Sequence, residues 1–213
     1  MQNMDFVLVL AVSANFMVLG SSRLTAGIRA VALQGVLMAI LPLLLPNAGR
    51  SAHVLFLSAG MFALKGALFP WVLFRAIREI SMRREMEPLI GFTPSLIVGA
   101  VAAGAAFWLA SRLPRLPVIA SPLLVPAALT TILLSLIVLV SRTKALSQVL
   151  GYLMLENGIF LFGLVLVREM PFLIEIGVLL DLFVAVFVMG IVVYQINREF
   201  DHIDTYHLTT LKD

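Results

Sequence analysis

Three ionisable side chains lie inside long apolar stretches of this sequence. They are Lys65 in LSAGMFALKGALFPWVLF, Glu156 in GYLMLENGIFLFG and Asp181 in PFLIEIGVLLDLFVAVFVMGIVV. A charge that faces lipid at the centre of a bilayer costs from about 2.5 to more than about 10 kcal/mol, so all three are expected to face protein or water. Burial raises the proton affinity of a carboxyl group and a nearby ammonium lowers it, so such a set is able to exchange protons.

Two interpretations of these charges stay open at the level of sequence. In the first, Lys65 pairs with one acid to lock helix packing, and the other acid is protonated and hydrogen-bonded to a neighbour such as Asn157. In the second, Lys65, Glu156 and Asp181 form a proton-conducting set, which is the interpretation that ionisable residues at midmembrane favour. Glu175, one turn from the outer end of the last apolar segment, is either a wetted helix end or an accessory carboxylate at the mouth of such a path.

The composition indicates that membrane helices position these charges. Of the 213 residues, 61% are hydrophobic and 13% charged, and the mean hydropathy is +1.05. About 20 apolar residues at 1.5 Å rise span the hydrocarbon core of a bilayer, and apolar stretches of that order occur seven times. We therefore predict an all-α polytopic bundle with seven transmembrane helices and short connections. The segments are 4–21, 28–46, 52–76, 89–110, 121–141, 145–167 and 172–197.

The basic residues predict the orientation of the bundle. Ten Lys and Arg residues fall on the side that holds the loops after segments 1, 3 and 5 and the tail, and four fall on the other side. Since cytoplasmic loops carry the excess of positive charge, we predict an outside N-terminus and a cytoplasmic C-terminus. The ten are Arg23, Arg29, Arg75, Arg78, Arg83, Arg84, Arg142, Lys144, Arg198 and Lys212; the four are Arg50, Arg112, Arg115 and Arg168.

Helical rise places the three charges at similar depths. Counted from the segment ends, Glu156 lies about 18 Å deep, Lys65 about 20 Å and Asp181 about 14 Å, all near the midplane. Lys65 also precedes Gly66 and Pro70, and a proline leaves the carbonyl four residues earlier without its helical donor. The sequence therefore predicts a local break or hydrated kink in the helix at Lys65.

Redox centres and nucleic acid are not expected in or on this chain. The sequence has no cysteine, so it cannot supply thiolates for an iron–sulfur cluster. Its three histidines, His53, His202 and His207, are scattered without metal-ligand spacing. The net charge of +3 comes from basic residues at the ends of apolar segments, where it reports membrane orientation rather than binding to nucleic acid.

Several stretches resemble a known family. GYLMLENGIFLFG, REMPFLIEIGVLLDLFVAVFVMGIVV and the terminal HLTTLKD resemble hydrogenase-4 component E, a membrane subunit of formate hydrogenlyase-type group 4 NiFe-hydrogenases. FALKGALFPWVL resembles the third helix of that family. The C-terminal part is also similar to the K subunit of respiratory complex I and the C subunit of multi-subunit cation/proton antiporters. This likeness divides the chain into a five-helix region, 1–141, and a K-like helix pair with a cytoplasmic tail, 142–213.

The resemblance implies a role for these residues and a set of partners. K subunits contribute two carboxylates on successive helices to a hydrophilic axis, and the matching residues here are Glu156, displaced by about one turn, and Asp181. The chain would be a noncatalytic membrane-arm subunit in the inner membrane, with a proton path through Glu156, Asp181 and Lys65 and accessory positions at Asn157 and Glu175. Antiporter-like membrane subunits and hydrogenase-like peripheral subunits, which carry the NiFe centre and the iron–sulfur clusters, would be its partners.

Other functions compatible with the sequence are a purely structural scaffold of the same arm, a subunit of a cation/proton antiporter, or a stand-alone secondary transporter. Transporters of this last kind are commonly built from inverted repeats, and none is visible here, which argues against it.

Overall fold

The computed structural model describes residues 2–45, 52–79, 91–113, 121–166 and 190. Within these ranges the chain is helical and contains no β-strand. Such elements suit a bilayer, because a helix satisfies its backbone hydrogen bonds internally. The elements are α1 Gln2–Gly20, α2 Leu24–Leu44, α3 Ala52–Met61, a π-helical segment Phe62–Leu68, α4 Phe69–Glu79, α5 Phe92–Arg112, α6 Leu124–Ser141 and α7 Ala145–Leu166.

The described helices include six that are long and apolar enough to cross a membrane, because α3, the π-helical segment and α4 run on as one span. The chain is therefore a multi-pass membrane protein. These six match the first six predicted segments. The seventh, 172–197, lies outside the described residues, apart from position 190, and so do Asp181 and Glu175. The orientation and the division at residue 141 stay predictions, although α6 and α7 pack closely against each other across that point.

Apolar side chains form two separate clusters, one toward each end of the bundle. The basic-end cluster lies near Arg23, Arg142 and Lys144, and the far cluster lies toward the start of α1. The basic-end cluster includes Val18, Leu19, Leu24, Ile28, Val31, Phe69, Leu73, Ile77, Leu134, Val138, Leu146, Leu150 and Leu153. The far cluster includes Met4, Leu8, Ala11, Leu37, Leu41, Met61, Leu124, Ala128, Leu161 and Leu164.

Buried polar residues separate the two clusters. Helix α1, for example, gives residues 4–11 to the far cluster and residues 18–19 to the basic-end cluster, and Asn15 lies between them. In α2, α6, α7 and the span that contains the π-helical segment, a buried polar residue likewise lies between the residues that belong to the two clusters. Together these positions form a polar layer, which consists of Asn15, Gln34, Lys65, Thr131, Glu156 and Asn157, all buried.

The outer surface of the bundle is apolar. Large side chains on the α3–α4 span and on α5 are exposed, among them Phe56, Trp71, Val101 and Trp108. In water such a surface would be unfavourable, but these faces suit the hydrocarbon of a membrane or the surface of another membrane subunit.

Candidate functional site

A buried ion pair occupies the polar layer. The Nζ atom of Lys65 lies 2.8 Å from Oε1 of Glu156, and the two side chains are only 4% and 3% exposed. The pair joins the α3–α4 span to α7, although 91 residues separate its members in sequence. The structure thus brings together two of the three midmembrane charges found in the sequence.

The predicted irregularity at Lys65 takes the form of the π-helical segment. Pro70 has no N–H, so the carbonyl of Gly66 lacks its regular α-helical donor. At the end of the segment the backbone N–H of Phe69 donates to the carbonyl of Leu64, five residues earlier. Segments of this kind are rare in proteins, and those that occur are often found at functional sites. Lys65 is the buried residue of this wider turn.

The Lys65 ammonium contacts two further groups on α7. It donates to Oδ1 of Asn157 at 3.0 Å, and it lies 5.8 Å from the centre of the Phe160 ring. A carboxylate, an amide oxygen and an aromatic face therefore contact the charge. Contacts of this type compensate part of the cost of burying an ammonium group.

Asn157 begins a chain of hydrogen bonds that crosses the bundle. Its Nδ2 donates to Oε1 of Gln34 at 3.1 Å, and Nε2 of Gln34 donates to Oδ1 of Asn15 at 2.7 Å. Nδ2 of Asn15 donates to Oγ1 of Thr131 at 2.8 Å, and Thr131 donates to the carbonyl of Ala127 at 2.8 Å. The chain thus passes from α7 through α2 and α1 to α6, within the polar layer.

Sequence reasoning missed Asn15, Gln34 and Thr131, because they carry no charge. A signal was present, since each lies in the interior of an otherwise apolar segment. A polar side chain there must find a partner, because the membrane interior supplies no water to satisfy it.

A small cavity adjoins the ion pair. Lys65, Glu156 and Asn157 line it on one side, and apolar residues of α2, α4 and α7 line the rest. It offers about 10 Å³ to the centre of a water molecule, which is room for about one water. Oε2 of Glu156 has no hydrogen-bond partner among the described residues. The apolar lining residues Ile28, Val31, Phe69, Leu73 and Leu153 all belong to the basic-end cluster, so the cavity lies on that side of the polar layer.

A close helix contact holds Asn157 in place. A Cβ atom added to Gly158 would lie 2.8 Å from Cγ1 and 2.9 Å from the backbone N of Ile132 on α6. Only a residue without a side chain permits this approach of α7 to α6. The contact is one position away from Asn157, and it therefore fixes the position from which Asn157 begins the hydrogen-bond chain.

A second buried cation, Arg142, lies at the basic end. It donates to the carbonyl of Leu19, one of the last of α1, and its guanidinium lies 5.0 Å from the centre of the Phe92 ring. Burial lowers the pKa of Arg142, but a guanidinium remains protonated at physiological pH. These contacts fasten the ends of α1, α5 and α6 together, and they indicate a structural role.

Two predicted site residues, Asp181 and Glu175, are still to be considered, together with the absence of a predicted metal site. Asp181 and Glu175 lie outside the described residues, so their roles stay predictions. Within the described ranges no group of three or more His, Cys, Asp or Glu side chains is arranged to hold a metal ion.

The fold and the site define a class: a polytopic helical membrane protein with an ion pair buried between two apolar layers. Hydrogenase-4 component E of Escherichia coli K12 is 32% identical over 162 residues, which cover 75% of this chain and 74% of the relative. The Shigella flexneri protein of the same name matches equally. The chain belongs to the hydrogenase-4 component E family, as the sequence resemblance predicted. An uncharacterised protein of Mycobacterium tuberculosis is 31% identical over 220 residues, covering all of both chains. No protein-family model and no solved structure matches.

Proposed function

We propose that this chain is a noncatalytic membrane-arm subunit of a membrane-bound hydrogenase complex and contributes a proton path to it. Membership of a family named for a hydrogenase component supports the complex, and six apolar helices support the location in a membrane. Because this chain has no cysteine, we assign the iron–sulfur clusters and the NiFe centre of such a complex to hydrogenase-like peripheral partners. Antiporter-like subunits are the proposed membrane neighbours.

The ion pair of Lys65 and Glu156 is the observation that carries the proton path. A carboxylate and an ammonium 2.8 Å apart titrate as a coupled pair, so a proton gained by one changes the affinity of the other. A proton that arrives on Glu156 removes a negative charge beside Lys65, so the ammonium then lowers the proton affinity of the next carboxylate along the path, which passes its own proton onward. In this proposal Asp181 is that next carboxylate, and Glu175 lies at its outer mouth.

The cavity suggests the side from which protons reach Glu156. It lies on the basic-end side of the ion pair. Among the described residues neither carboxylate oxygen of Glu156 accepts a hydrogen bond, and only Oε1 makes the ion-pair contact with Lys65. The positive-inside tendency makes the basic end cytoplasmic and the N-terminus external. We therefore propose that Glu156 exchanges protons with the cytoplasmic side of the inner membrane.

A scaffold role is the second candidate, and the same ion pair favours it in a different way. The pair fastens α7 to the π-helical segment, and removal of one member would leave a buried charge uncompensated. In a scaffold, substitution lowers the amount of assembled complex. In a proton path, substitution lowers proton movement by complexes that have assembled.

The first experiment is purification of the chain from native membranes in mild detergent, with identification of bound subunits and measurement of nickel. Hydrogenase-like subunits with nickel support the proposal, whereas antiporter-like partners without nickel or iron indicate an ion antiporter. Absence of any partner would refute a subunit role. Glu156→Gln and Lys65→Met are then assayed in inverted vesicles as protons moved per hydrogen produced, normalised to assembled complex. Unchanged coupling in both variants would exclude the proton path.

A further inference from the structure

We infer that Asn157, Gln34, Asn15 and Thr131 form a one-directional hydrogen-bond chain that positions the Lys65 ammonium against Glu156 without itself conducting protons. This inference rests on the proposed function, because the ion pair is the part of the proton path that the chain serves. The four are positioning residues, and three of them lie on helices other than those that hold the ion pair.

The two ends of the chain fix its direction. An ammonium group has donors and no acceptor, so Asn157 must turn its oxygen toward Lys65. At the other end, the backbone carbonyl of Ala127 is an acceptor only, and it takes the hydroxyl proton of Thr131. Between these ends each amide donates through nitrogen to the next residue and accepts through oxygen from the residue before it.

This direction stabilises the position of the ammonium. The amide oxygens of Asn157, Gln34 and Asn15 all face the Lys65 end of the chain, so their dipoles align with its charge. Hydrogen bonds arranged head to tail polarise one another, which strengthens the acceptor that Asn157 offers. Reversal of Asn157 would direct its NH₂ group at an ammonium, a contact between two donors.

Burial makes the arrangement rigid. Asn15, Gln34, Thr131 and Asn157 are each at most 1% exposed, so bulk water does not compete for their polar groups. An amide that turned over would lose two partners and find no replacement in the apolar clusters on either side. The orientation of Asn157 is consequently set by residues as distant as Thr131 on α6.

Two properties of the chain argue against proton conduction through it. An amide releases an N–H proton only by forming an anionic or imidic acid state, which is far less accessible than the exchange of a carboxyl proton. The chain also ends at the buried carbonyl of Ala127, which has no proton to pass on. It therefore transmits orientation, and proton exchange stays with Glu156 and the cavity beside it.

A series of single breaks separates positioning from conduction. Asn157→Leu, Gln34→Met, Asn15→Leu and Thr131→Val each remove one residue of the chain, and with it the hydrogen bonds to both of its neighbours, with little change of shape. A conducting chain fails equally wherever it is broken. A positioning chain loses less as the break moves away from Lys65, from roughly tenfold lower coupling at Asn157 to about twofold at Thr131, as expected for hydrogen bonds to charged and to neutral groups.

The assay is protons moved per hydrogen produced in inverted vesicles, normalised to assembled complex. Thr131→Ser is the matched control, since it keeps the hydroxyl that Thr131→Val lacks. Because its hydrogen bonds are retained, it is expected to keep at least ~80% of the coupling. The graded series with rescue by Ser supports positioning. Equal loss at all four positions, or unchanged coupling with Gln34→Met, overturns it.

A second readout does not depend on the hydrogenase. In the purified full-length chain in lipid, the infrared band of the Glu156 carboxylate is identified by its absence in Glu156→Gln and followed against pH. Gln34→Met is expected to move this titration by about one pH unit, and an unmoved titration overturns the inference. If Glu156→Gln leaves vesicle coupling intact while Gln34→Met moves the titration, the proton path fails and the positioning chain stands.

Discussion

Gly35 on α2 lies directly against Lys65. A Cβ atom added to Gly35 would come 2.6 Å from Cβ of Lys65 and 3.1 Å from its backbone oxygen. The first distance is shorter than real Cβ contacts and the second is tight, so the π-helical segment reaches its place because residue 35 has no side chain. The neighbouring residue on α2, Gln34, is the second amide of the hydrogen-bond chain. One short stretch of α2 thus accommodates Lys65 and orients its acceptor.

Gly35→Ala is expected to move the π-helical segment away from α2. The added methyl meets backbone as well as side-chain atoms, and overpacking of this kind lowers the free energy of unfolding by about 1–3 kcal/mol. Thermal unfolding of the purified chain in detergent measures the loss. Gly60→Ala on α3 is the control, because within the part of the chain that the structure describes a Cβ there meets nothing within 4 Å. Its stability should be unchanged or higher, and equal destabilisation of both variants would contradict the close contact.

The ion pair is expected to show strong coupling in a double-mutant cycle. Lys65→Met leaves a buried carboxylate uncompensated and should lower the free energy of unfolding by about 3–5 kcal/mol. Addition of Glu156→Gln should recover part of this loss, which gives a coupling energy of about 1–3 kcal/mol. Denaturation of the two single variants and the double variant measures it.

The stability deficit of Lys65→Met is also expected to depend on pH, and the direction of this dependence tests whether Glu156 is the partner. The deficit should be greatest where Glu156 is ionised and should shrink as the pH falls, because a protonated carboxyl group needs no cation. A deficit that is independent of pH, or additive effects in the cycle, would mean that Lys65 and Glu156 do not stabilise each other.

The contact between α6 and α7 predicts a difference between two glycines of one helix. Gly158→Ala is expected to separate α7 from α6 beside Asn157 and to lower the free energy of unfolding by about 1–3 kcal/mol. Gly163→Ala, about one and a half turns along α7, should be tolerated, since a Cβ there meets no atom of the described residues within 4 Å. Thermal unfolding of the two variants tests this, and a less stable Gly163→Ala would contradict the packing.

The orientation can be tested with single cysteines, because the natural sequence has none. Ser22 lies exposed between α1 and α2 at the basic end, and Ser111 lies exposed in the last turn of α5. A membrane-impermeant thiol reagent should label Ser111→Cys in intact cells and Ser22→Cys in inverted vesicles. Ser135→Cys, at a buried position, is the unreactive control. The opposite labelling would reverse the proposed orientation.

The sequence by itself determined the class of protein, the bounds of the six described helices that are long and apolar enough to span a membrane, to within a few residues, and the burial of Lys65 and Glu156. These features are local: apolar length decides whether a segment spans, and a charge within such a segment must be buried in protein. The irregularity at Lys65 was also predictable, since Gly66 and Pro70 are sequence neighbours.

Only the tertiary structure decided which partners these charges have. Lys65 meets Glu156 and Asn157 across 91 and 92 residues of chain, and no local rule specifies which faces of two distant helices turn toward each other. The roles of Gln34, Asn15 and Thr131 emerge for the same reason, because a neutral polar side chain is informative only once its partners are known. Helix packing, set by close contacts such as that of Gly35 with Lys65, arranges these separate residues into one polar layer.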